Sequence, residues 1–446
     1  MQLRRKNVVV CGASMAGLFA ARVLSDFYET VTVVERDLLP ETAAQRRGVA
    51  QGRHLHMMLS PGSSYSDELF PGLLDELGAA GAHVPDPTDP SPFYLRFGDH
   101  ELCRTGEFTS PDQIVILLAS RPFLEHHVRR RVRRLANVTF LEGHDVVEPV
   151  VEPPDRVSAV RIVDRATGAP RVLETDLVVD ATGRSARTPA FLEAHGYDRP
   201  ADQKYTVNLT YSSQFFRIPI GALADEKIAV VSPTLRRPTG VGLLAYEDDT
   251  AILTLIGVAG HELPTDLTGV LAGAAELLPA RVMDALRAAE PLGDVSAQRY
   301  PVSVWRRYDK LARFPKGLLV IGDAVCSFNP AYGQGMTSAG LQAAALQRCL
   351  SSSDADADAV SRHYFRAAAK KLAPIWRSNR FVDFSLMPAD DWRAIPKRLM
   401  YWWINKTFAA AAHDVELTET YFRIVELLDQ PTALLRPGRL RRVLTA

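Results

Sequence analysis

The chain has 446 residues, 47% of them hydrophobic and 23% charged, with 52 Lys+Arg against 52 Asp+Glu. That length exceeds one ordinary core and suits two packed domains. The zero formal net charge removes any electrostatic reason to expect nucleic acid or an anionic membrane as partner. Cys11, Cys103, Cys326 and Cys349 are scattered and form no C-x-x-C pair, which argues against a disulfide scaffold or structural zinc and suits a reducing cytoplasm. Arg4, Arg5 and Lys6 open the chain, but a strand and a glycine turn follow at once, without a small-residue cleavage site. The N-terminus therefore reads as part of the fold and not as a signal peptide.

In chain order, Asn7 to Cys11 is a short apolar run of the kind buried in a parallel sheet. A glycine turn and a small-residue helix from about Ser14 to Phe27 follow, and Val31 to Glu35 reads as a second buried strand. This is a βαβ unit. Its turn reads Gly12-Ala13-Ser14-Met15-Ala16-Gly17. Gly12 permits a tight turn, Gly17 lets helix and strand pack closely, and the helix start offers free N–H groups to a pyrophosphate. Glu35, 18 residues beyond Gly17, is placed to accept hydrogen bonds from an adenosine ribose. Ser14 stands where the usual fingerprint has its middle glycine. An ordinary strand–turn–helix is one alternative, and the nucleophile elbow of α/β-hydrolases is another. Against the elbow stand Ala16 in place of its last glycine and the position on the first strand.

Pro85 to Pro92 is a turn-rich crossing, and Phe93 to Leu102 suggests a hairpin around Gly98-Asp99. A long helix starts near Arg121-Pro122 and carries the arginine run Arg129 to Arg134, read as a solvated face. Leu177 to Asp180 is another buried strand, closing on Asp180-Ala181-Thr182-Gly183-Arg184 beside the first strand. From about Thr206 to Gly260 alternating strands predominate: Tyr205 to Ile218 is one, and Gly240 to Tyr246 pairs with Ala251 to Val258 across Glu247-Asp248-Asp249. Gly240-x-Gly242-x-x-Ala245 has no helix after it, so it reads as a hairpin and not as a second nucleotide site. Gly317 to Gly322 resumes the buried parallel type, a helix runs from about Gly335 to Leu350, Ser351 to Ala359 is a polar loop, and the remainder is mostly helical. No charge-free run of about 18 apolar residues occurs, so no membrane span is expected.

The stretch Gly322-Asp323-Ala-Val-Cys-Ser-Phe-Asn329-Pro330-Ala-Tyr-Gly333-Gln334-Gly335-Met336-Thr337 places an acid at a strand end before a Gly-rich loop and a helix. That arrangement suits a polyol and an anion together; a structural Gly-rich turn is the alternative. With GASMAGL at Gly12, RGVAQGRHLH from Arg47, SRPFLE from Ser120 and VVDATGRSART from Val178, the chain resembles, over nearly its whole length, the FAD-dependent monooxygenases of the p-hydroxybenzoate-hydroxylase-like fold. Within them it looks nearest the squalene-epoxidase-like and polyether-type polyene epoxidases.

The resemblance implies an α/β fold: a Rossmann-like FAD-binding domain (1–84, 106–190 and 301–350), an inserted antiparallel-sheet substrate domain (85–105 and 191–300) and a helical C-terminal region (351–446). The cofactor would touch Gly12, Ser14, Met15, Ala16, Gly17, Glu35 and Arg36, then Arg53, His54, Arg121 and Val146, and finally Asp323, Pro330, Gly333, Gly335, Met336 and Thr337. Asp323 would hold ribityl hydroxyls, and the helix opening at Gly335 would place its positive end by the flavin N1 and C2 carbonyl. Arg121 would contact phosphate or ribityl oxygens, with an ordinary salt-bridged arginine as the alternative. His54-x-His56 lacks acidic companions at metal-ligand spacing.

Aromatic hydroxylases of the wider family carry an adjacent Asp-Gly pair linked to NAD(P)H, whereas Asp180 and Gly183 are separated here. Electrons would therefore come from transient NAD(P)H docking or from a separate reductase. The implied reaction takes O2 and puts one oxygen atom, through a flavin C4a-hydroperoxide, into a small apolar alkene, polyketide, terpenoid or aromatic, as an epoxidase of secondary metabolism would. A reductase or dehydrogenase acting on isoprenoid-type double bonds is the alternative. No acid–base cluster stands near the flavin motifs, which favours an alkene, since phenol chemistry usually wants a base. The strand from Tyr205 to Phe216 and the aromatics Tyr401-Trp402-Trp403 are candidate pocket walls; ordinary core packing is the other reading of the aromatics. No catalytic residue is assigned.

Overall fold

The computed structural model describes residues 5–219, 221–223, 226–352, 359–386 and 394–445. Arg4 and most of the polar loop expected from Ser351 to Ala359 lie outside them.

Strand β1 (Arg5–Cys11), helix α1 (Met15–Ser25) and strand β2 (Tyr28–Val34) make the opening βαβ unit. β1 and β2 run parallel, with Val8 opposite Val31 and Cys11 opposite Val34. Their valines are apolar without alternation because helices cover both faces of the sheet. The chain continues through α2 (Ser60–Leu69), α3 (Leu73–Ala79), β3 (Phe93–Phe97), β4 (His100–Glu101) and α4 (Arg121–Arg133), then returns as β5 (Val138–Leu141) beside β2. β3 and β4 form the expected hairpin, with Gly98 at φ 63°.

Next, β6 (His144–Glu152), β7 (Arg156–Asp164) and β8 (Pro170–Glu174) form a three-stranded antiparallel sheet. The sequence did not announce it, because β6 is half-buried along most of its length and so lacks a clean alternation. β9 (Leu177–Asp180) slots beside β1, and β15 (Leu318–Val320) later joins β9. The first sheet is thus β15-β9-β1-β2-β5, parallel throughout.

After α5 (Thr188–Ala194) come β10 (Asp202–Arg217), β11 (Ile228–Val231), β12 (Thr239–Tyr246), β13 (Thr250–Gly257), α6 (Leu267–Ala275), α7 (Ala280–Ala288) and β14 (Glu290–Arg306). With β3, β4 and β16 (Cys326–Ser327) these strands form an eight-stranded sheet, β16-β14-β10-β13-β12-β11-β3-β4. The sheet is mixed and not purely antiparallel: β3 and β11 pair parallel, Phe93 opposite Ile228. β3 belongs to the earlier crossing, so no hairpin constrains its direction relative to β11. β14, 17 residues long, was also not foreseen; its first ten residues show no apolar alternation. The Gly240-x-Gly242 segment is a hairpin strand, and the turn after it holds Asp248 and Asp249 at φ 56° and 52°.

Helices α8 (Gly335–Ser351), α9 (Val360–Ser385), α10 (Ala394–Ala411), α11 (Val415–Val425) and α12 (Pro437–Thr445) complete the chain. The largest core packs α1, α4, α8 and α9 against the parallel sheet, and a second packs the large sheet on α6 and α7. Among the described residues no helix is long and apolar enough to cross a membrane.

Candidate functional site

The site begins where β1 meets α1. A Cβ on Gly12, whose φ is 109°, would lie 2.7 Å from the Ala181 carbonyl oxygen, and one on Gly17 would lie 1.8 Å from the Gly12 oxygen. Both approaches admit only hydrogen. Ser14 is the N-cap of α1, yet its hydroxyl does not cap; it accepts from Arg121 Nη2 at 2.8 Å and donates to Glu125 Oε2 at 3.3 Å. The first-turn amides of α1 therefore remain available to an anion.

Glu35, buried just after β2, accepts from the Ala13 amide at 2.8 Å and from the Asp37 amide at 3.0 Å. Oε1, which takes only the Asp37 amide, keeps a spare lone pair, whereas Oε2 is shared between the Ala13 amide and Arg46. Arg46 lies 3.2 Å from Glu35, 3.4 Å from Asp37 and 2.6 Å from Glu125, and donates to the Ala13 carbonyl at 3.1 Å. Sequence reasoning missed Arg46, although it immediately precedes the RGVAQGRHLH motif. A buried arginine inside a polar loop fixes the loop against the α1 turn. Arg36 is exposed, 3.7 Å from Asp145, and Val146 is half-buried in β6 opposite Ile162.

Arg121 starts α4 because Ser120 caps that helix, accepting from the Phe123 amide at 3.3 Å. Ser120 in turn gives its amide (2.8 Å) and its hydroxyl to Glu247 in the β12–β13 turn. A hairpin of the large sheet thus sets the start of a helix that packs on the parallel one. Arg121 Nε is buried without a partner. Burial depresses the pKa of its guanidinium, opposed by Glu125 and Asp323.

The second segment arrives from β15. Gly322 adopts φ 74°, and a Cβ there would stand 2.6 Å from Ala16 Cβ. The two glycine motifs, some three hundred positions apart, are therefore in contact. Asp323 faces Arg121, Arg184 and Arg306; burial pushes its carboxyl up and the three arginines pull it back. The loop that follows is gripped by α9: Asn329 and Tyr332 each donate to Asp383 at 2.7 Å, and Asn379 donates to Gln334 at 2.6 Å.

Asp323, Pro330, Gly333, Gly335 and Met336 line one side of a cavity of about 930 Å³, part of it open to solvent, together with Arg121. Thr337 instead faces α2, where its hydroxyl accepts from the Leu59 amide at 3.0 Å. Met15 is buried in the core, and Arg53 is exposed and outside the cavity lining.

One face of the large sheet forms the opposite wall. Residues two apart on a strand share a face, and register puts Tyr211 opposite Ile256 and Gln298, and Ser213 opposite Thr254. His54 lies against this wall, its Nδ1 2.9 Å from Ser213 Oγ, which is 2.8 Å from Thr254 Oγ1. Burial lowers the His54 pKa, partly offset by Gln298. His56 Nδ1 donates to the His54 carbonyl at 2.8 Å, and burial, with Arg121 nearby, pushes its pKa down to about 3. Tyr211 Oη is buried without a hydrogen-bond partner, a deficit that costs about 1–3 kcal/mol until a partner arrives. Arg184 sits 4.1 Å from the Tyr300 ring centroid.

Two expectations need correction. Tyr401, Trp402 and Trp403 do not wall the cavity: α10 packs on α11 and α12, the first two residues are exposed, and Trp403 joins a separate cluster. The polar groups absent from the sequence neighbourhood of the flavin motifs are assembled in space by His54, Tyr211 and Gln298. Asp180 serves the local turn, accepting from the Thr182 amide at 3.0 Å, from its hydroxyl at 2.6 Å, and from the Thr188 hydroxyl. Among the described residues no three His, Cys, Asp or Glu gather to hold a metal.

No protein-family model matches the chain. Protein Rv3254 of Mycobacterium tuberculosis is 42% identical over 437 residues, 95% of this chain and 90% of that protein. Kynurenine 3-monooxygenase of Salinispora arenicola is 24% identical over 421 residues, 90% of this chain and 83% of that one. Among solved structures, PqsL of Pseudomonas aeruginosa, described as a probable FAD-dependent monooxygenase, superposes with a TM-score of 0.61 at 19% identity, covering 85% of this chain and 94% of that one. The likeness to PqsL establishes a shared fold.

Proposed function

The chain belongs to the family of the mycobacterial Protein Rv3254, and from that premise, with the fold it shares with PqsL, we propose that it is an FAD-dependent monooxygenase acting on a small, largely apolar molecule. The observation that supports this reading is the close approach of Gly322 to Ala16, which sets a pyrophosphate-type turn against the turn that carries a polyol-type acid. The residues fit the cofactor. Arg121 Nε is a buried donor without a partner, and Gly12, Gly17 and Gly322 are places where a Cβ would collide with the chain. The Asp323 carboxylate lines the cavity and accepts no side-chain hydrogen bond among the described residues.

In this reading the α1 amides, Ser14 and Arg121 hold the pyrophosphate, and Glu35 accepts from the adenosine ribose. Asp323 accepts from ribityl hydroxyls, and the N-terminus of α8 stabilises negative charge on the isoalloxazine. Bound FAD, once reduced, supplies the activation of O2 for transfer of one oxygen atom. The chain's own part is to exclude water and hold the substrate across the cavity. Electrons come from NAD(P)H or from a separate reductase. An alkene, polyketide, terpenoid or aromatic substrate of secondary metabolism suits the apolar walls.

The test is the absorption spectrum of the purified protein, then its response to NADPH under anaerobic conditions, then oxygen uptake matched to oxygenated product. Flavin bands are expected, and bleaching assigns direct NADPH use whereas its absence assigns a partner reductase. A protein that takes up no flavin, or turns over without consuming oxygen, overturns the proposal.

A further inference from the structure

The wall opposite the cofactor segment carries a feature that an apolar substrate alone leaves without a purpose. Tyr211 and Gln298 are cross-strand neighbours on β10 and β14, and both line the cavity. The Tyr211 hydroxyl is buried, has no partner and keeps its proton, because burial raises its pKa far above the ordinary value. It is therefore a donor. His54 lies beside it, ring centroids 5.7 Å apart, and its orientation is fixed by the Ser213–Thr254 pair. Depressed basicity keeps the imidazole neutral, and with Nδ1 engaged by Ser213 its other ring nitrogen is left to the Gln298 side and the cavity. Leu55, Ile256, Phe328, Ala331 and Met336 supply apolar surface to the same lining.

We propose that Tyr211, His54 and Gln298 form a polar anchor that reads one hydrogen-bonding oxygen, a hydroxyl or a carbonyl, on an otherwise apolar substrate. This deepens the monooxygenase reading and rests on it. An oxygen seated here accepts from Tyr211 and satisfies the orphan donor, while the rest of the substrate lies along the apolar wall towards Asp323 and the α8 end of the cavity. A hydrocarbon of the same shape leaves the Tyr211 hydroxyl desolvated and unpaired, and sites built to hydrogen-bond a substrate group reject analogues lacking it far more strongly than they reject a missing methylene. Ser213, itself paired with Thr254, is a positioning residue: it acts on the substrate through His54.

The experiment titrates the flavin-loaded protein with matched pairs, naphthol against naphthalene and indanone against indane, reading the perturbation of the flavin spectrum. Oxygenated members are expected to bind at least about tenfold more tightly. Tyr211→Phe, which removes one atom, should erase that preference with flavin content unchanged. Ser213→Ala should weaken it, and Ser213→Thr, which keeps the hydroxyl, should restore it. Equal affinity within each pair, no binding by any member, or a preference intact in Tyr211→Phe overturns the anchor. Failure of the wild-type protein to hold flavin defeats the underlying reading instead, so the two failures are distinguishable.

Discussion

At position 17 one methyl group decides whether the first βαβ unit closes, because a Cβ there would meet the Gly12 carbonyl oxygen at 1.8 Å. The obstacle is backbone, which cannot swing aside as a side chain can. Gly17→Ala should therefore destabilise by about 1–3 kcal/mol, the range for forced overpacking, with a lowered melting temperature and reduced flavin content; a variant as stable and as yellow as the parent contradicts the packing argument. Asp323 acts through charge and not volume. Asp323→Ala should weaken FAD binding about 10- to 100-fold, the equivalent of losing hydrogen bonds of about 1.5–3 kcal/mol to a charged group, measured by flavin fluorescence titration. Glu35→Gln should cost less, since the amide still accepts one ribose bond. Its carboxylate also holds the Ala13 and Asp37 amides, so a loss of folding stability alongside the affinity is expected.

At the scale of elements, the C-terminal helices pin loops from the N-terminal third of the chain. Glu419 accepts from the Thr109 and Ser110 amides at 2.9 and 2.7 Å, and Glu426, at the end of α11, accepts from both the amide and the hydroxyl of Ser60 at 2.7 Å. Burial outweighs those two bonds and raises the Glu426 pKa from 4.5 to about 7. A carboxyl with a raised folded-state pKa stabilises the fold while protonated. That contribution, about 3 kcal/mol, is complete below pH 4.5 and is gone once pH has risen through about 7. Glu426→Gln should flatten the dependence of the urea midpoint between about pH 5 and pH 8, making the variant relatively more stable at the alkaline end. Parallel profiles for the two proteins would show that the carboxyl is already ionised in the fold. The clamp between Ser120 and Glu247 is the second inter-element contact to probe. Glu247→Ala leaves two buried donors unpaired, a loss of about 1–3 kcal/mol for each, and should displace the start of α4 so that flavin affinity falls together with stability.

At the scale of the whole molecule, ligand binding and folding are linked in the proposed function, because the candidate cofactor segments meet only when β1, β9 and β15 lie side by side. FAD at about 100 times its dissociation constant should stabilise the apoprotein by about 2.7 kcal/mol, seen as a rise in melting temperature, whereas Asp323→Ala at the same flavin concentration should gain only about 0.4–1.4 kcal/mol. The same juxtaposition sets what could be read in advance. Local signals named the βαβ unit, the α4 start at Arg121, the hairpin across Glu247 to Asp249 and the α8 start at Gly335, because glycine turns, caps and unbroken apolar runs are written within a few neighbouring residues. The resemblance carried by those motifs supplied the cofactor class. The three-stranded sheet and β14 escaped, since strands wetted along their edges or on both faces lose the alternation that betrays a strand. Arg46 escaped because nothing nearby in sequence tells a buried arginine from a solvated one. The anchor of His54, Tyr211 and Gln298 could not be read either: its members are spread over some 240 positions, strand register between β10 and β14 alone makes Tyr211 and Gln298 neighbours, and the loop that carries His54 is laid against that wall through Ser213. Sequence by itself determined where the backbone must bend and where helices begin, which are properties of adjacent residues. Tertiary structure alone decided which distant polar groups share a cavity, because strand pairing joins segments whose proximity no local interaction encodes.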